Sequence, residues 1–465
     1  MYITASYKQL PGGIVSQLLL NMNIPDATQD DFSEKKPFQG RKKIRYACRD
    51  QVTFDVKSLD DLIPEDHRAR DVWEYTSQLD FSEFRNEIQV PEGGRGAASI
   101  DPQILITLWL YALLNGICSA RLIARLSQEH HAYIWICGGV SLNYHTLSDF
   151  RTQGGDKFRT LLQESIALIW RTGVFQPDTA AQDGTRVKAN AGFTNFRREK
   201  TLSQYIEEAN QHIKNLEKEI AKDPSAPHRR GNSAKQRAAT ERKVRIEKAQ
   251  EELKAYRKER IISSKENHNK FSEEDQENMR VSITDPEARK MKMGDGGYRL
   301  AYNVQFATET NKKVVLGVDV VNTQDPGTLS PMMHEVEQNL NKIGCPMVSN
   351  WLADSAYANK KDMQKAEADF PNVTFYSPPT TTKKGADPLA PRKDDNAAMI
   401  NLKNRMKSEK GKAAYAKRSE TAEFVNAVAK NRGMGEFLVR GLNKVKNMAL
   451  LYAVAHNMTI FLNNG

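Results

Sequence analysis

Three acids in this chain are placed to handle phosphate oxygens. Asp183 follows the apolar start of a predicted strand, Thr179–Lys188, near its polar tip. Asp354 ends a second predicted strand, Met347–Asp354, and Glu423 lies on a long helix predicted to begin near Asn396. Carboxylates just beyond strand ends stand where α/β sheets bind ligands. Oxygen-only ligands suit Mg²⁺ or Mn²⁺, which complete their shells with water and phosphate. Two such ions ~3.5–4 Å apart clamp the attacking and leaving oxygens of an in-line phosphoryl displacement, one activating water or a 3′-hydroxyl and the other stabilising the leaving oxygen. Singly, each acid is an ordinary turn or cap residue; only the set points to this chemistry.

The helix carrying Glu423 adds cations. Tyr415, Arg418, Glu423 and Lys430 follow one another at spacings of three, five and seven. At about 100° per residue, Arg418 and Glu423 fall within about 140° of each other, and Glu423 and Lys430 fall on nearly one face. A carboxylate suited to a metal is thus flanked by cations suited to phosphates. From Lys383 to Lys446 there are 16 basic and 7 acidic residues, a net of +9 in a chain whose total is +10. Such a strip fits a polyanion, although a solvated basic helix has the same composition.

The elements that must position these residues follow from periodicity. From Leu59 to Phe175 the apolar residues recur at helical spacing, as in Ile104, Leu105, Leu108, Leu110, Leu113 and Leu114, which predicts an all-α domain over residues 51–176. Ser119–Gln128 and Tyr144–Arg151 are its candidate recognition helices for a DNA groove. Residues 1–50 read as a basic flexible arm containing Lys35-Lys36 and Arg41-Lys42-Lys43. From residue 177 to 465 the order is strand, insertion, strand, strand, helix, strand, helix, strand, helix. Leu300–Thr308 and Lys313–Val321 suit a hairpin, and the later strands are joined through helices. This predicts a mixed sheet covered by helices, an α/β architecture. The insertion, residues 195–295, carries two runs at helical spacing, Leu202–Ile220 and Ala239–Tyr256, separated by Asp223-Pro-Ser-Ala-Pro and Gly231-Asn-Ser. It reads as an antiparallel coiled-coil hairpin.

Other features bound the function. The chain has 465 residues, 39% hydrophobic and 27% charged, an ordinary globular composition that excludes collagen-like or wholly disordered classes. Cys48, Cys118, Cys137 and Cys345 lie far apart, as reduced thiols of a cytoplasmic protein do. The first residues lack a basic stretch ahead of their apolar run, so no signal peptide is expected. The most apolar stretch, Ile104 to Ile117, falls short of the ~20 residues a membrane span needs, so no membrane partner is expected. Asp295-Gly296-Gly297 reads as a turn and His130-His131 as surface histidines. Asn303 and Gln305 share one face of their strand, read as facing the site, either orienting metal ligands or serving the sheet. Asp319 and Asp325 are competing acids, one within a strand and one in the following loop.

An ordered series of segments runs from about Phe54 to Phe461: DPQILITLWLYALLNGICSAR, HTLSDFR, QDGTRVKANA, TDPEARKMKMGDGGYRLAYNVQ, LADSAYAN, the Tyr-x2-Arg-x4-Glu-x6-Lys run ending at Lys430, and RGLNKVKNMALLYAVAHN. In this series the chain resembles the DDE transposases of bacterial insertion sequences. The resemblance implies a ribonuclease-H-like catalytic core, with Asp183, Asp354 and Glu423 as catalytic and metal-binding residues. It implies that Tyr415, Arg418 and Lys430 grip the DNA end. It further implies Mg²⁺ or Mn²⁺, in two ions, and double-stranded DNA as partner, both the terminal inverted repeats of the element and the target. Cleavage of the 3′ ends and strand transfer, a homodimer on DNA, and a bacterial cytoplasmic location associated with the nucleoid complete it. Two positions depart from the usual pattern: Phe424-Val-Asn-Ala follows the glutamate in place of a Pro-Val-Phe-Gly-like segment, and Ala356 replaces a glycine after Asp354-Ser355. The alternative from another class is a catalytically inactive or repurposed DNA-binding protein derived from a transposase. A metal endonuclease that cuts without joining is a third.

Overall fold

The computed structural model describes residues 58–88, 99–222, 226–266, 270–379 and 387–464; the arm expected over residues 1–50 lies outside them. Helices come first: α1 (Arg68–Ser77), α2 (Ser82–Asn86), α3 (Pro102–Leu114), α4 (Ala120–Glu129), α5 (His131–Cys137), α6 (Tyr144–Gln153) and α7 (Asp156–Arg171). Then come β1 (Thr179–Lys188), β2 (Phe196–Arg197), α8 (Glu199–Lys222), α9 (Ala226–Glu266), α10 (Glu273–Asn278), β3 (Val281–Ser282), β4 (Arg289–Lys292), β5 (Tyr298–Glu309) and β6 (Val315–Val321). The chain continues with α11 (Leu329–Lys342), β7 (Asn350–Leu352), α12 (Lys360–Asp369), β8 (Thr374–Tyr376), α13 (Ala397–Lys407), α14 (Glu409–Arg418), α15 (Phe424–Asn431) and α16 (Leu442–Asn464).

Local chemistry sets these boundaries. The Asp101 carboxylate accepts from the Gln103 N–H at 3.1 Å, and Pro102 opens α3 where its missing N–H is not needed. Every residue from Ile104 to Leu113 is buried, so α3 is apolar all round and lies inside the core. Arg151, within one of the two candidate recognition segments, is also buried. It donates to the Cys118 carbonyl at 2.9 Å and lies 5.2 Å from the Trp109 ring centre, so it anchors α6 to its neighbours.

The sheet is mixed, as expected. β1 pairs antiparallel with β5, from Ala180 opposite Glu309 to Lys188 opposite Ala301, and parallel with β7. β7 pairs parallel with β8. The other edge of β5 takes β4 beside Tyr298–Ala301 and β6 beside Asn303–Thr308. Helices cover both faces. Val425 and Ala429 of α15, with Tyr452 and His456 of α16, surround Phe306 and Val315. Toward α11, Gly317 makes room for the helix: a Cβ there would stand 2.7 Å from Val336 Cγ2.

The leading helices and the sheet share one hydrophobic cluster, with α16 packed against α3, α6, α7 and β6. Its buried polar residues are bonded. Asn457 accepts from the Val315 N–H at 2.8 Å and donates to the Val315 carbonyl at 2.9 Å, satisfying backbone groups on the edge strand β6. α8 and α9 pack together around a second, smaller cluster of Leu202, Ile246, Ala249, Leu253 and Val281. The two-stranded ladder of β2 and β3, with Phe196 opposite Ser282, closes the base of this helical pair. α9 starts at Ala226, inside the segment read as a linker, because Pro227 is tolerated in a first turn. Cys118, Cys137 and Cys345 are free thiols. No helix among the described residues is long and apolar enough to cross a membrane.

His456 provides a test of this packing. Its Nε2–H donates to the Lys313 carbonyl at 2.9 Å, and burial holds its pKa down to about 4, assisted by Arg432 and Lys313. The unfolded chain binds this proton from about pH 6.5, so the contribution of His456 to stability is full above that pH. It falls by up to about 3 kcal/mol as the pH drops to 4. Asp183, raised to about 6, acts with the opposite sign over an overlapping range. The effect is therefore read as the difference between wild type and His456→Gln in urea titrations at pH 7 and pH 4.5. A difference that does not change between the two pH values refutes it.

Candidate active site

Asp183 lies in the middle of β1, opposite Phe306 of β5, on the face that α15 covers. Its carboxylate is held from two sides. Arg418, the last residue of α14, donates to Oδ1 at 2.8 Å, and Asn426 of α15 donates to Oδ2 at 2.9 Å. Burial pushes the Asp183 pKa up to about 6; Arg418 works against that shift, and Asp354 and Asp325 add to it.

Asp354 stands two residues beyond β7, a strand shorter than expected. It is fixed by a turn in which its Oδ1 accepts from the Ala356 N–H at 2.6 Å, while Ser377 donates to its carbonyl at 2.7 Å. Because β7 runs parallel beside β1, the acid after β7 comes to the same end of the sheet as Asp183. Arg418 spans the two: its guanidinium is also 3.8 Å from Asp354 Oδ2. Tyr415, one turn earlier on α14, is half-buried, and its phenol pKa is raised by burial, with the Arg418 charge opposing and Asp354 adding.

The long helix expected to carry Glu423 is interrupted. Ser408 ends α13 and caps α14, and Ser419–Glu423 forms a π turn before α15. An i→i+5 turn draws residues five apart toward one face, so the angle of about 140° between Arg418 and Glu423, which assumed α geometry, does not apply here. Glu423 and Lys430 are both exposed. The structure therefore brings Asp183, Asp354, Arg418 and Tyr415 together, while Glu423 and Lys430 stand exposed on the helical segment that follows, with no hydrogen bond or ion pair to that group among the described residues. Among the described residues, no group of three or more His, Cys, Asp or Glu side chains is gathered to hold a metal ion.

One contributor escaped the sequence and another, Asp325, stood there only as a competing acid of the loop. Asn426 was visible only as a polar residue interrupting Phe424-Val-Asn-Ala-Val-Ala. Asp325 reads as a turn acid because Pro326 and Gly327 follow it, yet it is tied to the sheet. It accepts from Asn303 Nδ2 and Gln305 Nε2, each at 2.9 Å. Asn303 and Gln305 do not face Asp183. Gln305 lies opposite Gly184 and Asn303 opposite Arg186, so strict alternation turns both to the other face of the sheet. There Gly184 is required: a Cβ would overlap Gln305 Nε2, Asp325 Oδ1 and Asn303 Oδ1. Through that gap Asp325 comes close enough to raise the Asp183 pKa. Asp319, the other competing acid, is paired with Lys446 of α16 at 2.8 Å.

Two family models match the chain. One describes a transposase DDE domain and covers residues 380–461; the other describes a transposase domain (DUF772) and covers residues 57–153. Both matches point to a DDE-type transposase of an insertion element. No curated protein and no solved structure matches it. The first match spans α13 to α16 and so includes Tyr415, Arg418, Glu423 and Lys430. The second spans α1 to α6. Asp183 and Asp354 lie outside both matches.

The donors gathered here suit a hard divalent cation in kind. Asp183 and Asp354 offer carboxylate oxygens, and Asn426 offers an amide Oδ1 that is buried without a hydrogen-bond partner among the described residues. Such an all-oxygen set favours Mg²⁺ or Mn²⁺ over zinc. Without a metal, the guanidinium of Arg418 supplies the positive charge between the two aspartates.

Proposed function

We propose that the transposase binds the terminal inverted repeats of its element and catalyses metal-dependent DNA cleavage and strand transfer at Asp183, Asp354 and Glu423. The observation that carries this is the convergence of Asp183 and Asp354, from neighbouring parallel strands, on the single guanidinium of Arg418. The strand order, with three antiparallel strands β6, β5 and β1 followed by the parallel β7 and β8, supports a ribonuclease-H-like core.

In this reading Asp183 and Asp354 hold Mg²⁺ or Mn²⁺, in two ions, with Glu423 as the third carboxylate. When bound, the cations polarise the scissile phosphate and lower the pKa of the attacking water or 3′-hydroxyl. Arg418 then exchanges its carboxylate partners for phosphate oxygens, which its planar fork fits in the same way. Asn426 keeps Asp183 in its rotamer through the Oδ2 contact. Tyr415 and Lys430 hold the DNA end on either side of Glu423. Residues 51–176, together with the arm over residues 1–50, recognise the terminal repeats. Residues 177–465 form the catalytic domain, and the helical insertion over residues 195–295 is a coiled-coil hairpin. Joining two element ends calls for a homodimer on DNA, in the bacterial cytoplasm.

The test uses purified protein and a labelled duplex carrying the DNA that flanks its own gene. Cleavage at the element end in Mg²⁺ or Mn²⁺, abolished by EDTA and restored by excess metal, is the expected result. The rival is a DNA-binding protein that has lost catalysis. It draws on the Arg418 ion pair, which neutralises the two aspartates without a metal. Salt-sensitive binding with no cleavage at any metal concentration would decide for it.

A further inference from the structure

A second site lies outside the acidic centre. At the base of the helical pair, the β2–β3 ladder, the end of α10 and the β4–β5 hairpin enclose an open groove of about 690 Å³. Its walls alternate rings and cations: Phe193, Phe196, Tyr256 and Tyr298 with Arg198, Arg280, Arg289 and Lys290. No carboxylate lines it.

The cations differ in their engagement. Arg289 is buried, stacked 4.2 Å from the Tyr256 ring centre and paired with Glu252, so its charge is spent inside the protein. Arg198, Arg280 and Lys290 are exposed and face no carboxylate among the described residues. Lys290 lies 4.9 Å from the ring centre of Tyr298. The rings differ too. Tyr298 is 56% exposed and Phe193 is 44% exposed, high values for aromatic side chains on a folded surface.

We propose that this groove binds an unpaired stretch of DNA strand, with Tyr298 and Phe193 as stacking platforms and Arg198, Arg280 and Lys290 on its phosphates. Net positive charge without carboxylates selects a polyanion. Exposed ring faces select one whose bases are free to stack, which the bases of a duplex are not. That the polyanion is DNA rests on the transposase reading above.

The test is fluorescence anisotropy of the full-length protein with a labelled oligothymidylate and with a duplex of the same length. Phe193→Ala/Tyr298→Ala removes both platforms, and Tyr298→Phe keeps the ring without its hydroxyl. The double variant, which removes two stacking platforms at about 1–3 kcal/mol each, weakens oligothymidylate binding by roughly 30-fold or more and leaves duplex binding within about twofold. Tyr298→Phe binds as wild type. Arg280→Ala/Lys290→Ala lowers the salt slope for the single strand by about 1.4, the release expected for two phosphate contacts. Unchanged oligothymidylate affinity in the double aromatic variant overturns the proposal, as does an equal loss on strand and duplex, which would mean that the groove tracks duplex backbone.

The metal-dependent cleavage assay separates this from the catalytic reading. Cutting by wild type with an unaltered oligothymidylate response in the aromatic variant rejects the groove alone. The predicted strand-binding losses in a protein that never cuts keep the groove and reject the catalysis.

Discussion

Asp183→Asn protein folds, binds the terminal duplex and cuts it at least roughly a thousand-fold more slowly than wild type, on the scale of losing a major charge-stabilising contact at a phosphoryl-transfer site. Asparagine keeps the volume, its Oδ1 still accepts from Arg418, and its Nδ2 donates to Asn426 Oδ1 once that amide flips, so the fold has no reason to fail. What disappears is the negative charge that holds a cation against the scissile phosphate. Asp354→Asn has the same effect, with even less structural consequence, since Asp354 sits on a half-exposed turn. Glu423→Gln is the sharper case. Glu423 is exposed in the π turn, so its substitution leaves stability untouched while cleavage falls as far as in Asp183→Asn. Asp319→Asn serves as the control, because that acid is engaged with Lys446 and cuts normally when neutralised. Strand transfer and cleavage are scored together on sequencing gels at matched protein and metal concentrations. A Glu423→Gln protein that cuts at the wild-type rate removes Glu423 from the site.

The sequence carried the sheet well because its strands are long or strongly β-branched. Thr179–Lys188 has the predicted bounds, and the hairpin partners appear as Tyr298–Glu309 and Val315–Val321. β4 was missed because Arg289-Lys-Met-Lys hides its alternation: the buried positions are Arg289 and Met291, and an arginine does not look like a core residue. Its burial depends on Tyr256 and Glu252 from the helical insertion, which no local window contains. The meeting of Asp183 with Asp354 was legible, since both were read at strand ends; that Arg418 pairs with them was not, because helical spacing related it only to Glu423 and Lys430. Asn303 and Gln305 were assigned to the wrong face, because a strand's period gives two faces and only the pairing register says which one holds Asp183. Glu423 depended on a helix being regular. The π turn at Ser419–Glu423 inserts a residue into that helix; Thr421 is buried there, and its hydroxyl donates to the Lys417 carbonyl four residues back at 2.9 Å and reaches the Thr310 carbonyl beyond β5 at 3.4 Å. A π turn inside a helix is a departure from regular geometry of the kind that functional sites concentrate.

Arg418→Ala destabilises the metal-free protein by an amount that grows with pH, and the growth identifies what Arg418 does. With Arg418 in place, the Asp183 carboxyl titrates at about 6. At pH 7 the ionised form is then favoured over the protonated one by only about 1.4 kcal/mol. Removing the guanidinium leaves a buried carboxylate that escapes by taking up a proton, so the cost of losing this charge pair at pH 7 stays near about 1.4 kcal/mol, below the ~3–5 kcal/mol typical of a broken buried pair. The sign follows from linkage. The variant's Asp183 pKa rises further above its unfolded value, so the folded variant holds a proton that folded wild type has released. Each pH unit above 6 therefore costs the variant up to about 1.4 kcal/mol more relative to wild type, until its own raised pKa is passed. Below pH 6 both proteins hold the proton and the difference shrinks to lost packing. Urea titrations in EDTA at pH 5.5, 7 and 8 read this directly, and Arg418→Ala/Asp183→Asn, which has nothing to titrate, removes the pH dependence. A difference that is the same at pH 5.5 and pH 8 would show that Arg418 contributes packing alone. In that event its closeness to Asp354 would no longer bear on how two acids are kept together before a metal or a phosphate arrives.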